Sequence, residues 1–356
     1  MTGKKISLNG ISKRYGDFVA VSDMSLTVEP GEFVSFLGPS GCGKTTTLRM
    51  IAGFIMPDSG ALKIGDVEVT YLPPNKRDLS FVFQNYALWP HMTVAENIGF
   101  GPKLAGLSRA DIDKRIRDAL SLTALSGLES RFPRQLSGGQ QQRVAVARAL
   151  ALGRSVLLMD EPLSNLDRKL RVDMRKELKE LQRRLNITTV YVTHDQEEAL
   201  SMSDRVAVMD RGRIASLAVP EEIYRNPPNE FVASFVGGVN YFNGTLRHVD
   251  SSRSFFIADD GLEFHITRRE NTPEGTVRLM TRPEWIVLRS GEDKGLNTHP
   301  VTVDFIEYLG ASRKVSATTE TGRKLLIQVH DVDPMSIEVG DRLTFHIAAQ
   351  NMMLIK

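Results

Sequence analysis

A single cysteine, Cys42, stands among 356 residues, which excludes an intrachain disulfide and a cysteine-based zinc cluster. The seven histidines are scattered from His91 to His346 without metal-ligand spacing. No apolar run approaches the roughly 18 residues of a transmembrane helix. Met1-Thr2-Gly3-Lys4-Lys5 leads into mixed-polarity sequence rather than a signal-peptide core, so the chain is expected to stay in the cytosol. Neither sign of charge dominates: 45 Lys and Arg face 43 Asp and Glu, a formal net charge of +2. That balance argues against a dominant nucleic-acid surface. What remains, 41% hydrophobic and 25% charged, is the composition of a large folded chain of about two domains.

The strongest positive signal is Gly38-Pro39-Ser40-Gly41-Cys42-Gly43-Lys44-Thr45-Thr46. It follows the apolar run Phe33-Val34-Ser35-Phe36-Leu37 and precedes Thr47-Leu48-Arg49-Met50-Ile51, so it joins a buried strand to a helix start. Glycines there turn backbone N–H groups onto phosphate oxygens, and the helix N-terminus adds positive potential. Lys44 supplies a full charge near the β- and γ-phosphates, and Thr45 is placed to ligate Mg²⁺. A turn that merely joined strand to helix would not need Lys44 and Thr45 in register. Cys42, inside this loop, is a candidate for alkylation that blocks nucleotide binding, although a small space-filling role is the better reason for its presence.

Ser155-Val156-Leu157-Leu158-Met159-Asp160-Glu161 is an apolar strand ending in two carboxylates, at the edge where open parallel sheets bind ligands. Asp160 is expected to hold Mg²⁺, directly or through water, and Glu161 to accept a proton from, or orient, an attacking water. Between these motifs lies Leu136-Ser137-Gly138-Gly139-Gln140, a second phosphate-grade loop opening an Ala- and Leu-rich helix. A helix N-cap with close-packing glycines would explain Ser137 but not the whole run. One chain cannot use both loops on one nucleotide, and two half-sites imply two chains.

With these motifs in this order, the chain resembles the nucleotide-binding subunit of an ATP-binding-cassette transporter. The resemblance implies further roles. Tyr15 matches the aromatic residue that stacks on adenine, Gln84 the glutamine that couples Mg²⁺ and water to the membrane partner, and Ser164-Asn165-Leu166-Asp167 the loop that crosses the dimer interface. His194, after the apolar strand Thr189–Thr193, matches the switch histidine that contacts the γ-phosphate. Ser137, Gly138, Gly139 and Gln140 would receive the γ-phosphate of an ATP held on the partner's phosphate loop.

The segment between Gln84 and Ser137 carries helical periodicity, with Ile112, Ile116, Ala119 and Leu120 on one side, and is read as a helical subdomain over about 86–155. Just upstream, Tyr86–Val94 mixes large apolar groups with Pro90. By resemblance this surface receives a coupling helix of the membrane subunit; alternatively Leu88, Trp89 and Met92 pack inward. After Asp167 the spacing of Leu170, Met174, Leu178, Leu181 and Leu185 predicts a helix with a core-facing stripe. Alternating strands and helices make this domain α/β.

Near Asn226-Pro227-Pro228 and Gly237-Gly238 the character changes. Short apolar segments at 255–257, 262–266, 277–280, 285–288, 325–329 and 343–347 are separated by turn residues, which fits a small β-barrel. Arg282-Pro283-Glu284 and Glu307-Tyr308-Leu309-Gly310 resemble markers of the oligonucleotide-binding-like regulatory domain in ATPases of the maltose, polyamine, ferric-iron and phosphonate importers. Arg282 and Glu284 are expected to form a structural ion pair. The sequence departs from many of these relatives at Ser216 and Ala218, where they carry glutamine and glycine.

The expectation is therefore an α/β P-loop ATPase cassette with a helical subdomain over 1–237, then an all-β barrel domain over 238–356. It binds ATP and Mg²⁺, works as a homodimer with two integral-membrane permease subunits and, indirectly, an extracytoplasmic solute-binding protein, and sits peripherally on the cytoplasmic face of the inner membrane. Thr45, Gln84 and Asp160 attend the metal, while Glu161, His194 and Gln84 serve catalysis. Trp89–Val94 inclines the solute toward the iron, polyamine and phosphonate group rather than sugars. The competing reading is a soluble ATP-dependent nucleic-acid or translation factor using the same cassette; sparse stacking aromatics among basic residues in the barrel speak against it, and no nucleic-acid partner is expected.

Overall fold

The computed structural model describes residues 2–268, 272–291, 295–330 and 336–355. They divide into two compact units, 1–221 and 222–356. The first unit opens with an antiparallel sheet that alternation alone did not reveal. Strands β1 (Ile6–Tyr15) and β2 (Phe18–Val28) form a hairpin, and β4 (Ser59–Ile64) and β5 (Val67–Glu68) extend it in the order β2-β1-β4-β5. Between them in sequence come β3 (Phe33–Leu37) and helix α1 (Lys44–Ala52), the strand and helix flanking the phosphate loop.

The second sheet of this unit holds β3 beside β6 (Leu79–Val82), β7 (Val156–Asp160), β8 (Thr188–Thr193), β9 (Arg205–Asp210) and β10 (Arg213–Ala218), in the order β10-β9-β3-β8-β7-β6. All pairs but the edge pair β10–β9 are parallel. Strands β3, β7 and β8 are buried at every position. This is why their sequences read as continuous apolar runs instead of alternating ones.

Helices α2 (Val94–Leu104), α3 (Arg109–Leu122) and α4 (Gly138–Ala151) lie between β6 and β7 in sequence. They share a core of Ile98, Leu120, Leu125, Val144 and Ala147, and α2 approaches α3 so closely that a side chain at Gly99 would meet Ile116 at 2.9 Å. Thr93 and Ser108 cap α2 and α3. Helix α5 (Arg168–Leu185) buries Met174, Leu178 and Leu181, with Leu170 and Leu185 against the same core, as the stripe predicts. Helix α6 (Gln196–Met202) follows β8, and α7 (Pro220–Arg225) carries the division between the units.

The second unit contains α8 (Glu230–Val236) and two five-stranded antiparallel sheets. One joins β11 (Asn240–His248), β12 (Arg253–Ala258), β13 (Glu263–Thr267), β14 (Gly275–Thr281) and β20 (Met353–Ile355). The other joins β15 (Ile286–Arg289), β16 (Thr298–Tyr308), β17 (Ser312–Thr319), β18 (Lys324–His330) and β19 (Arg342–Ile347). Both contribute to one core through Phe242, Phe256, Phe264, Val315, Ile327 and Phe345, which gives the barrel-like domain its interior. The boundary lies earlier than the 237/238 expected from composition, because α8 belongs to the β unit: Ala233 packs with Met280, Met353 and Ile355.

The expected ion pair between Arg282 and Glu284 is not how these residues are used. The buried Arg282 guanidinium donates to the carbonyls of Tyr224 (2.9 Å), Ala233 (2.8 Å) and Gly238 (3.2 Å), while Glu284 accepts from the Tyr224 hydroxyl. Carbonyls take the bonds of both terminal nitrogens here, while Nε is left without a partner, and the carboxylate goes to a phenol that burial has already pushed above its ordinary pKa.

Candidate nucleotide site

Parallel pairing brings the ends of three strands together. Leu37 of β3 is in register with Thr193 of β8, and Asp160 of β7 with Val192 of β8. The phosphate loop, the carboxylate pair and His194 therefore emerge side by side at the carboxyl edge of the sheet, where open α/β sheets bind ligands.

The loop needs its glycines. Gly43 has φ +101°, and a side chain there would meet the Ala20 carbonyl at 2.4 Å; at Gly38 it would meet the Met209 carbonyl at the same distance. Gly43 also serves as the N-cap of α1 without any side-chain cap, which leaves first-turn amides of the helix available to an anion. Lys44 Nζ is held inside the loop by the carbonyls of Gly38 (2.7 Å) and Pro39 (2.9 Å). Cys42 is buried in the sheet core, and burial raises its thiol pKa. The thiolate required for alkylation is thereby disfavoured, and the space-filling role is the one its surroundings fit.

Thr45 Oγ1 donates to Asp160 Oδ1 at 3.1 Å, with Arg49 3.9 Å from the other carboxylate oxygen. Burial, reinforced by the adjacent Glu161 charge, raises the Asp160 pKa despite the Thr45 bond, so a cation at this point would relieve an electrostatic cost already present. Glu161 takes the left-handed backbone region, φ +45°, rare for a residue with a side chain. Its amide donates to the Val192 carbonyl at 3.0 Å, and its carboxylate collects Gln84 Nε2 at 3.3 Å and His194 Nδ1 at 3.1 Å. Asn165 Nδ2 donates to the Gln84 carbonyl at 2.9 Å and Ser164 Oγ to the Glu161 carbonyl at 2.9 Å. Gln84, Glu161, His194 and the 164–167 loop thus form one connected group.

Not every predicted residue joins it. Tyr15 is exposed at the end of β1 with Lys13 Nζ 5.7 Å from its ring centroid. Ser137 caps α4 by accepting from Gln140 N at 3.3 Å, while Gln140 Oε1 accepts from Ser137 N at 3.0 Å; the cap uses the hydroxyl only as an acceptor and leaves its O–H as a donor. Among the described residues no hydrogen bond or ion pair joins residues 137–140 to the phosphate loop. Gly139 instead lies so close to α5 that a side chain there would strike Leu170 at 2.7 Å.

The Leu88 to Met92 segment is neither fully outward nor inward. Leu88 sits between two cores, and the half-buried Trp89 ring lies 4.3 Å from Phe100 and 4.9 Å from the Arg148 guanidinium. Arg148 escaped the sequence reading. It leaves α4 to donate to the Tyr86 (2.8 Å) and Ala87 (2.7 Å) carbonyls, both at positive φ, and pins the segment after Gln84 to the helix opened by Ser137. A lone charge within the apolar run Val144–Leu150 was its one available sign.

Comparison with known proteins identifies the family. Residues 21–164 match the family described as ABC transporter, and residues 279–355 the TOBE domain. A spermidine/putrescine import ATP-binding protein of Rubrobacter xylanophilus is 43% identical, covering 98% of this chain and 93% of its own. An Fe(3+) ions import ATP-binding protein of Agrobacterium fabrum is 42% identical, covering 98% and 97%. Among solved structures, the dimeric structure of MJ0796, a bacterial ABC transporter cassette, aligns with a TM-score of 0.54 at 32% identity over 60% of this chain and 98% of its own. The chain belongs to the ABC transporter family, among its import ATP-binding subunits. It is an ATP-binding ATPase of the class that drives solute import, and the nucleic-acid-factor reading is set aside. Among the described residues no helix is long and apolar enough to cross a membrane.

Proposed function

We propose that two copies of this chain close on two ATP molecules, each held between one copy's phosphate loop and the other's Ser137–Gln140 loop, and that hydrolysis reopens them to drive import through two permease subunits fed by an extracytoplasmic solute-binding protein. The carrying observation is the division of parts within one chain. Lys44, Thr45, Asp160, Glu161, Gln84 and His194 converge on one sheet edge, while, among the described residues, positions 137–140 make no bond to that group. The chain would act peripherally at the cytoplasmic face of the membrane.

In this reading Lys44 exchanges its loop carbonyls for phosphate oxygens, and Tyr15 stacks on the base. Glu161 orients or deprotonates the attacking water, with Gln84 and His194 fixing its carboxylate; His194 also senses the γ-phosphate. The hydroxyl of Thr45, the carboxylate of Asp160 and the amide oxygen of Gln84 are hard oxygen donors suited to Mg²⁺. No cluster of three or more metal-binding acidic, histidine or cysteine side chains occurs among the described residues, which fits an ion that keeps much of its shell from phosphate and water. When bound, Mg²⁺ would neutralise phosphate charge and so assist leaving-group departure. The names of the relatives support a cationic solute, ferric iron or a polyamine.

Glu161→Gln tests the reading. It keeps shape but removes the carboxylate, so ATP should still bind while turnover falls at least about 100-fold, and the variant should accumulate as an ATP-dependent dimer by size-exclusion chromatography with light scattering. Adding Ser137→Arg should dissolve that dimer. An ATP-closed state indifferent to Ser137→Arg would refute completion of the site in trans.

A further inference from the structure

One turn into α5, Arg171 belongs to none of the recognised motifs, yet its guanidinium reaches three segments. Nη2 donates to the Leu166 carbonyl at 3.0 Å, Nη1 to Asp195 Oδ2 at 3.1 Å, and Nε lies 3.8 Å from Glu198 Oε1. Leu166 belongs to the 164–167 loop, and Asp195 follows His194 directly. The partner carboxylates are themselves fixed. Glu198 is buried, and its Oε2 accepts from the hydroxyls of Tyr191 and Thr193, each at 2.7 Å. The Thr193 hydroxyl in turn accepts from Asp195 N at 2.9 Å, and Asp195 Oδ1 caps α6 by accepting from Glu198 N at 3.1 Å.

Both neighbours of His194 are therefore clamped by one cluster, while the histidine itself is largely exposed and reaches Glu161. The other end of the cluster touches the subunit contact surface inferred above. A side chain added at Gly138 would meet Leu166 at 3.5 Å, and Gly139 sits against Leu170. A continuous path thus runs from the opening of α4 through Leu166 and Arg171 to Thr193 and Asp195, and from His194 to Glu161. With Glu198 buried and Arg171 and Asp195 only partly exposed, the bonded groups have few alternative arrangements, so displacing the loop carbonyl must re-aim the guanidinium and with it the residues flanking His194. Burial raises the Glu198 pKa, the sign of a carboxylate that depends on its donors for charge.

We infer that Arg171 is a positioning residue that couples the loop facing the partner's site, 164–167, to the switch histidine of its own site, so that turnover at one nucleotide responds to docking at the other. The inference rests on the roles of that loop and of His194 proposed above. Mere stabilisation by an arginine between two carboxylates would lower folding stability on mutation but would leave the effect of His194 independent.

The test is a double-mutant cycle on the full chain, with ATP affinity, kcat and the Hill coefficient of turnover measured for Arg171→Met, His194→Ala and the pair. Arg171→Met should bind ATP within about 2-fold of the native chain, lose at least about 10-fold in kcat, and drop from a Hill coefficient near 2 to about 1. Combined with His194→Ala it should cost no more than about 2-fold beyond His194→Ala alone. Additive losses beside a damaging His194→Ala would overturn the coupling and spare the reading of the site; an inert His194→Ala would overturn both. Should Arg171→Met fail to fold, Glu198→Gln carries the same cycle, because its amide oxygen still accepts from Tyr191 and Thr193 while the charge facing Arg171 is gone. Non-additivity with His194→Ala is again expected, and additivity again refutes it.

Discussion

Arg77 gives the sharpest structural prediction. Its side chain is 1% exposed, and it donates to the carbonyls of Met50 (2.7 Å), Ile51 (2.7 Å), Leu72 (2.9 Å) and Thr70 (3.2 Å). The first two close the last turn of α1, the helix that the phosphate loop opens, where a positive charge also meets the negative end of the dipole. Hydrogen bonds from a charged donor contribute roughly 1.5–3 kcal/mol each, offset in part by the several kcal/mol of removing a guanidinium from water. Arg77→Met keeps the stem's bulk and leaves those acceptors short of donors, for a net loss of about 3–4 kcal/mol. In a unit of this size, at about 2–4 °C per kcal/mol, its unfolding temperature should fall by roughly 6–16 °C.

Calorimetry on the full chain reads this directly, since the relevant transition is the one that ATP raises. Burial pulls the Arg77 pKa down to about 10. The sign follows: a base with a lowered folded pKa carries its penalty below that value and sheds it only as pH rises toward the unfolded value. The difference between native and Arg77→Met should therefore stay flat from about pH 6 to 9. A shift under about 3 °C would show that desolvation cancels the bonds and would refute the reasoning.

Other outcomes follow from neighbouring geometry. Lys44→Ala, which removes the ammonium held by Gly38 and Pro39, should reduce ATP affinity and kcat together by at least about 10-fold each; turnover retained in a folded variant, measured by phosphate release, would remove Lys44 from the site. Arg148→Met should free the Tyr86 and Ala87 carbonyls, visible as faster amide exchange confined to the segment after Gln84 and the start of α2; unchanged exchange would deny it that hold. In the second unit, burial lowers the His299 pKa, against the pull of the Glu263 carbonyl that its Nε2 meets at 2.8 Å. The unfolded chain then binds the proton better, so this unit should lose stability as pH falls through about 6.5, and His299→Gln should abolish that dependence in thermal unfolding followed by Trp285 fluorescence. Arg282→Met should destabilise the same unit by about 2–4 kcal/mol by stripping donors from the buried Ala233 carbonyl and the partly buried Tyr224 and Gly238 carbonyls; denaturant unfolding with an unchanged midpoint would contradict this.

The sequence alone determined the parts whose chemistry is local. The 38–46 loop needs Gly at fixed spacing and Lys44 at a helix start, and a strand buried on both faces must read as an apolar run, so β3, β7 and β8 and the residues at their ends were legible before any fold existed. The core stripe of α5 and the change to short strands beyond residue 238 were equally written in periodicity. Tertiary structure decided what depends on partners distant in the chain. The β2-β1-β4-β5 sheet alternates too irregularly, with register shifts in β1, to be read from pattern, and α8 joins the β unit only because Ala233 finds Met280 and Met353. Arg77 and Arg171 carry no sequence signal, and the bonds that Arg148 and Arg282 make were not legible either, for one physical reason. A basic residue reads as surface until the fold supplies enough carbonyls or carboxylates to replace its water, and that supply is a property of three-dimensional neighbours.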